Sequence, residues 1–172
     1  FGTSFDMRNA FASLKFTFID KVMQFLIRPC DWNLFQQRYK KASMRVDTKE
    51  GSCFYEIGSG ALPGDKIAAD NFRESFRSVL EVWLHAAKQE CTTVLCPITF
   101  KKVDTSKSVY ADDLFNRKVL EKNASIRDIT KAIQIADEEL DKALDQTGLA
   151  QNHNKQELIF SLCGPGSREL ER

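Results

Sequence analysis

Along this chain the apolar residues change period several times, and each change marks an element. The opening F-G-T-S-F-D-M reads as a short strand entering a core, with no turn or cap before it. Leu14, Phe18, Ile19, Val22, Met23, Phe25 and Leu26 then fall three and four apart. That is the helical period on an unusually wide apolar face, and it predicts a deeply buried helix. Arg28-Pro29 should end it, because a residue before proline is pushed out of the helical region. A more polar helix follows from about Asp31 to Lys41. Between Ser43 and Ile57 the period becomes two: Met44, Val46, Cys53, Tyr55 and Ile57 alternate with polar residues around T-K-E-G, which predicts a β-hairpin.

The loop G-S-G-A-L-P-G-D leads into a long helix whose buried stripe is Ala68, Phe72, Phe76, Val79, Leu80, Trp83, Leu84 and Ala87. Asp65 stands where a carboxylate meets the free N–H groups of its first turn. Cys91 to Phe100 reads as a strand interrupted at Pro97, and K-K-V-D-T-S-K-S as a polar connection. V-Y-A-D-D-L-F is an apolar segment broken by two acids. Ile126, Ile129, Ile133, Ala136, Leu140 and Leu144 mark a last helix, ended before Gly148, and Leu158 to Leu162 a final strand. With no repeat and no linker, the pattern predicts one α+β domain over residues 1–163 with helices on one side of its sheet, and a polar tail over 164–172.

Composition narrows the function classes. The 25 Lys and Arg balance 24 Asp and Glu to a net charge of +1, which excludes a uniformly basic nucleic-acid coat and leaves any such role to particular residues. Five Cys with no C-x-x-C pair, beside only two His, argue against a zinc site and for reduced, mostly buried thiols. No apolar run approaches the roughly 20 residues of a spanning helix, so no membrane partner is expected. The abrupt start at Phe1 leads us to expect that an upstream region is missing.

Most carboxylates lie on solvated helix faces, but three do not fit there. Asp6 ends a buried strand, where an unpaired charge is costly. Asp112 and Asp113 adjoin each other inside an apolar segment, as a tight turn or as carboxylates turned toward a cation. One acid on a strand end and a second on a neighbouring hairpin suit two-metal phosphoryl transfer, in which two Mg²⁺ ions about 4 Å apart clamp the attacking and leaving oxygens. Mg²⁺ takes hard oxygen ligands, so no His or Cys is required.

The order of motifs resembles the palm domain of reverse transcriptases, nearest in type to those of non-LTR retrotransposons and group II introns. F-D-M-R-N-A-F at 5–11 looks like the first palm motif, G-A-L-P-G-D-K-I-A-A-D-N-F at 60–72 the second, Tyr110-Ala111-Asp112-Asp113 the third, and G-L-A-Q-N-H-N-K-Q-E at 148–157 the fourth. The resemblance implies a palm whose small antiparallel sheet carries the catalytic acids, with helices on one face. It implies that Asp6 and Asp112 bind two Mg²⁺ ions, with Mn²⁺ as a substitute, that Asp113 completes the acid set and shapes the hairpin, and that Lys155 donates a proton or charge toward pyrophosphate. Phe11 would be the steric gate against a 2′-hydroxyl, which disfavours an RNA-making polymerase; Gly64, Tyr110 and Ala111 would lie against nucleotide, template or primer end.

The partners implied are an RNA template, a DNA primer and deoxynucleoside triphosphates, in the nucleus or cytoplasm. Leu62, Pro63, Ala68 and Ala69 depart from the usual second motif, in which Gln stands at the place of Pro63. A degenerate palm that binds nucleic acid or protein without catalysis is therefore the alternative. A polymerase of this kind also needs fingers and a thumb, so the 172-residue piece is expected to be inactive alone.

Overall fold

A computed structural model describes residues 1–60, 65–87, 93–121 and 124–161. They form two compact units, each discontinuous in sequence. The first takes residues 1–7, 83–142 and those from 151 onward; the second takes 8–82 and 143–150.

The first unit is built on a four-stranded antiparallel sheet in the order β6-β7-β1-β8. Its strands are β1 (Gly2–Phe5), β6 (Lys107–Tyr110), β7 (Asp113–Arg117) and β8 (Glu157–Ile159). Thr3 pairs with Asn116 and Phe5 with Leu114, and this alternate set is the buried face of the sheet. Helical residues close that face. Trp83 is fully buried with its ring edge-on to Phe5, and its Nε1–H donates to the Ala136 carbonyl of α5 (Ile126–Leu144) at 2.9 Å. The expected α+β class with small antiparallel sheets and helices on one face is what this unit shows.

A second, two-stranded sheet joins β4 (Thr93–Leu95) to β5 (Lys102–Asp104). Sequence pattern alone assigned residues 101–104 to a polar connection; they pair instead, because the turn after Pro97 returns the chain on itself and Cys96 N–H bonds the Lys101 carbonyl. The final strand runs from Glu157 to Ile159, one residue earlier and shorter than its apolar run implied.

In the second unit, α1 (Ala10–Ser13), α2 (Phe16–Met23), α3 (Trp32–Lys40) and the first five turns of α4 (Lys66–Ala86) enclose Leu14, Ile19, Phe35, Phe72 and Phe76. The hairpin β2 (Ser43–Thr48) and β3 (Gly51–Glu56) forms in the expected place. The helix read from Leu14 to Leu26 is shorter and less buried than its pattern implied. It stops at Met23, and Phe25 is 82% exposed, because only Ile19 and Met23 of α2 turn inward. Asp65 caps α4 as expected, its Oδ1 accepting the Ile67 N–H at 3.1 Å.

The thiols also depart from expectation: Cys30 and Cys53 are free and exposed, since both lie on elements with a solvent face, and Cys96 is half-buried. Cys91, Cys163, Gly64 with the loop residues Leu62 and Pro63, and the 164–172 tail lie outside the described residues.

Candidate active site at the end of strand β1

Asp6 owes its position to an irregularity in strand pairing. β1 is flanked by β7 on one side and β8 on the other. Ser4 pairs with Glu157, and beyond the strand Met7 bridges Gln151. The three steps from Ser4 to Met7 thus face the six from Gln151 to Glu157, and the surplus is taken up by the 3-10 turn His153–Lys155. That turn rises beside Asp6.

Three contacts result. The Asn152 N–H donates to the Asp6 carbonyl at 2.8 Å, the Asn152 Nδ2 donates to Asp6 Oδ2 at 2.9 Å, and the Lys155 ammonium lies 3.5 Å from the same Oδ2. The turn is itself anchored on α5: Gln151 Nε2 donates to the Asp141 carboxylate at 2.9 Å and to the Asp137 carbonyl at 3.1 Å, and Gln156 Nε2 to the Asp137 carboxylate at 3.1 Å. His153 stands between those two acids, 4.0 Å from Asp137 and 3.8 Å from Asp141.

The adjoining strand end carries the other two acids. Tyr110 pairs with Asp113, so Ala111 and Asp112 form the two-residue turn of the β6–β7 hairpin. Ala111 adopts φ 54°, a left-handed conformation that is uncommon outside glycine and marks a tight, over-determined turn. One step beyond the Phe5–Leu114 pair, the same register brings Asp6 level with Asp113. Asp113 is exposed, Asp112 half-buried, and the Tyr110 ring 82% exposed.

The structure therefore brings Asp6 and Lys155 together and sets Asp113, at the start of β7, and Asp112, in the turn before it, beside the end of β1. It does not gather the carboxylates tightly: among the described residues no group of three or more His, Cys, Asp or Glu could hold a metal ion. In kind, the donors suit Mg²⁺, being carboxylate oxygens on adjoining strand ends.

Phe11 belongs to the second unit. Its half-buried ring packs at 4.6 Å on Phe72 of α4, which in turn stacks on Phe76. Asn152 is the site residue that sequence reasoning passed over, although it stands in the fourth motif three places before Lys155. A side-chain amide at fixed spacing from a lysine was the available signal.

Comparison with known proteins bears on the fold. No protein-family model matches the sequence, and no curated protein matches it. Among solved structures, telomerase from Candida albicans in complex with the TWJ fragment of telomeric RNA is 12% identical at TM-score 0.62, over 93% of this chain and 28% of that one. Apo telomerase from Candida tropicalis truncated from its C-terminal domain is 15% identical at TM-score 0.62, over 95% of this chain and 31% of that one. Candida tropicalis telomerase with the TWJ fragment is 16% identical at TM-score 0.55, over 92% and 25%.

The likeness is one of fold. The chain shares the fold of a segment of these telomerase structures. It spans about a quarter to a third of the length of the structures it matches. Among the described residues no helix is long and apolar enough to cross a membrane.

Proposed function

We propose that this chain is the palm of an RNA-directed DNA polymerase, of the non-LTR retrotransposon or group II intron type, that extends a primer 3′-hydroxyl on an RNA template. The observation that carries the reading is Asp6 at the end of β1 beside Asp112 and Asp113 at the β6–β7 hairpin, in a fold shared with telomerase. Asp6, Asp112 and Asp113 would hold two Mg²⁺ ions, or Mn²⁺ in their place. Such ions supply Lewis acidity to the attacking oxygen and neutralise charge on the leaving pyrophosphate.

The remaining roles fall to the chain itself. Lys155 is two-thirds exposed at the rim of Asp6, and its ammonium can move to meet negative charge on the leaving group and give it a proton. Ala111, with a single methyl at the hairpin tip, leaves space beside the acids for the primer end, and Tyr110 offers an exposed ring against nucleic acid. Phe11, braced by Phe72, is suited to exclude a 2′-hydroxyl, and Gly64 to allow close backbone approach to nucleotide or template.

Primer extension on an RNA template by the natural full-length protein tests this. Asp112→Asn should lower the rate by at least about a hundredfold, and chelation of Mg²⁺ should abolish it. Extension that survives Asp112→Asn removes the metal-holding role of that residue. Phe11→Val should raise ribonucleotide incorporation relative to deoxynucleotide; an unchanged ratio leaves Phe11 a packing residue only.

One observation favours a second reading, a degenerate palm that binds nucleic acid or protein without catalysis: the three acids are not drawn into a common cluster. Template binding that persists while extension is absent in the unmodified protein would select it.

A further inference from the structure

The hairpin of β4 and β5 ends in a tip that holds an aromatic ring out to water. Phe100 is 75% exposed and Ile98 86%. Phe100 also adopts φ 53°, a left-handed conformation that is rare for a bulky side chain. Three bonds within the tip hold it there. The Cys96 N–H donates to the Lys101 carbonyl at 2.9 Å, the Phe100 N–H to the Cys96 carbonyl at 2.9 Å, and the Thr99 N–H to Cys96 Sγ at 3.5 Å. Backbone strain and exposure at one aromatic, in a turn braced by its own bonds, describe a ring set in place for a contact outside the hairpin.

Charge selects the partner. Between residues 93 and 110 the cations are Lys101, Lys102 and Lys107 and the one acid is Asp104, which the Lys107 ammonium meets at 3.0 Å. Lys101 and Lys102 are exposed and make no ion pair among the described residues, so both charges stand free beside the Phe100 ring. The other exposed hairpin, β2–β3, also shows apolar residues, Phe54 among them, but sets two cations against three acids. An apolar protein surface could cover either hairpin, whereas an anion with flat apolar faces suits only β4–β5. We propose that the β4–β5 tip is a docking point for single-stranded nucleic acid, with a base stacked on Phe100 and the flanking phosphates on Lys101 and Lys102. The site goes beyond the polymerase reading, since it uses none of the three acids and serves a palm without catalysis equally.

Fluorescence anisotropy of labelled oligothymidylate and oligouridylate with the 172-residue chain reads the contact. F100A should weaken binding of both by about five- to tenfold, the share of one stacked base at an exposed site. F100L, still apolar but without a ring, should weaken it as much, and F100Y should bind as the original does. The K101Q/K102Q pair should flatten the dependence of log affinity on log salt by about 1.4, from two phosphate contacts at about 0.7 each. K49Q, which removes one like charge from the tip of the β2–β3 hairpin, should leave that slope unchanged. A blunt duplex should compete poorly, because its bases are already stacked on one another.

If F100L binds as the original does, the tip is an apolar contact of the kind a protein partner covers, and the proposal is overturned. A salt slope that K101Q/K102Q leaves unchanged, or that K49Q lowers as well, overturns it too, as does failure of the unmodified chain to bind either oligonucleotide. None of these results bears on primer extension, which tests the three acids separately.

Discussion

At the scale of single residues, two glycines in the second unit are fixed by space as well as by backbone angle. Gly60 has φ 70°, and a Cβ there would overlap the Phe11 carbonyl and the Ala12 backbone. Gly148 has φ 87°, and its Cβ would overlap the Ser13 carbonyl. Each position combines the left-handed penalty with a backbone clash that no side-chain rotation relieves. Gly60→Ala or Gly148→Ala should cost roughly 2–4 kcal/mol, read as a lower denaturation midpoint in urea. Gly148 was legible in the sequence as the end of α5. Gly60 was legible only as part of a loop, since its need for a bare Cα comes from Phe11 and Ala12, nearly fifty positions away.

Asp20 gathers a polar cluster in the same unit. Burial alone would raise its carboxyl, but hydrogen bonds from Lys40, Tyr39 and Gln36, with the Lys40 charge, outweigh this and hold it below the usual carboxylate range. Burial and the neighbouring Asp20 together push the Tyr39 phenol well above its ordinary value. No periodicity in the sequence points to this cluster, because Asp20 lies on the polar flank of an apolar helix. It is the packing of α2 against α3 that supplies three donors to one carboxylate.

At the scale of elements, α4 shows how a sequence pattern can carry nearly everything. Its stripe of Ala68, Phe72, Phe76, Val79 and Trp83 is buried as the period implies, and its cap forms at Asp65. α5 begins at a reciprocal cap, with Ser125 Oγ and Asp128 bonded to each other, and ends as expected before Gly148. What the period could not give is the partner. The Trp83 indole reaches the Ala136 carbonyl across more than fifty positions. Trp83→Phe keeps most of the apolar volume and removes this bond, so it should cost roughly 2 kcal/mol, again measured by urea denaturation.

The apolar run from Phe18 to Leu26 misled for the converse reason. Hydrophobicity predicts that a face wants cover, but not that cover exists, and Phe25 and Leu26 lie beyond the last turn of α2. The strand pair β4–β5 was half-read because β5 is only three residues long, with a single apolar residue, Val103, between Lys102 and Asp104. Such a strand is specified by its neighbour's hydrogen bonds rather than by its own alternation.

For the molecule as a whole, titration should report the native polar clusters. Asp104 in the first unit is held low by hydrogen bonds from the Ser106 side chain and backbone and by Lys107, and Asp20 is held low in the second. A carboxyl depressed in the folded state stabilises above its unfolded value of about 3.9 and loses that contribution as pH falls through its lower folded value. Stability should therefore decline below about pH 4, and Asp20→Asn should flatten that decline. Tyr39 works in the opposite direction. Its raised folded value means that stability is intact below the unfolded value of about 10 and falls as pH climbs above it, and Tyr39→Phe should remove that alkaline loss. Thermal unfolding across pH, with both variants, checks the two limbs together.

By itself the sequence determined the helices α3, α4 and α5, the β2–β3 hairpin and the strand at Asp6, because each is set by local period, capping or turn chemistry within a few residues; it read the tight turn on Asp112-Asp113, whereas the β6–β7 register sets it one residue earlier, at Ala111-Asp112. It also singled out three acids that no solvated helix face accounts for. Tertiary structure alone decided that β8 returns beside β1, that the mismatch in their pairing throws up the 3-10 turn, and that Asn152 and Lys155 consequently meet Asp6 from 146 and 149 positions away. The physical reason is range: apolar periodicity records which face of an element is buried, whereas the contact that meets a buried charge is chosen by strand register, which no local pattern encodes.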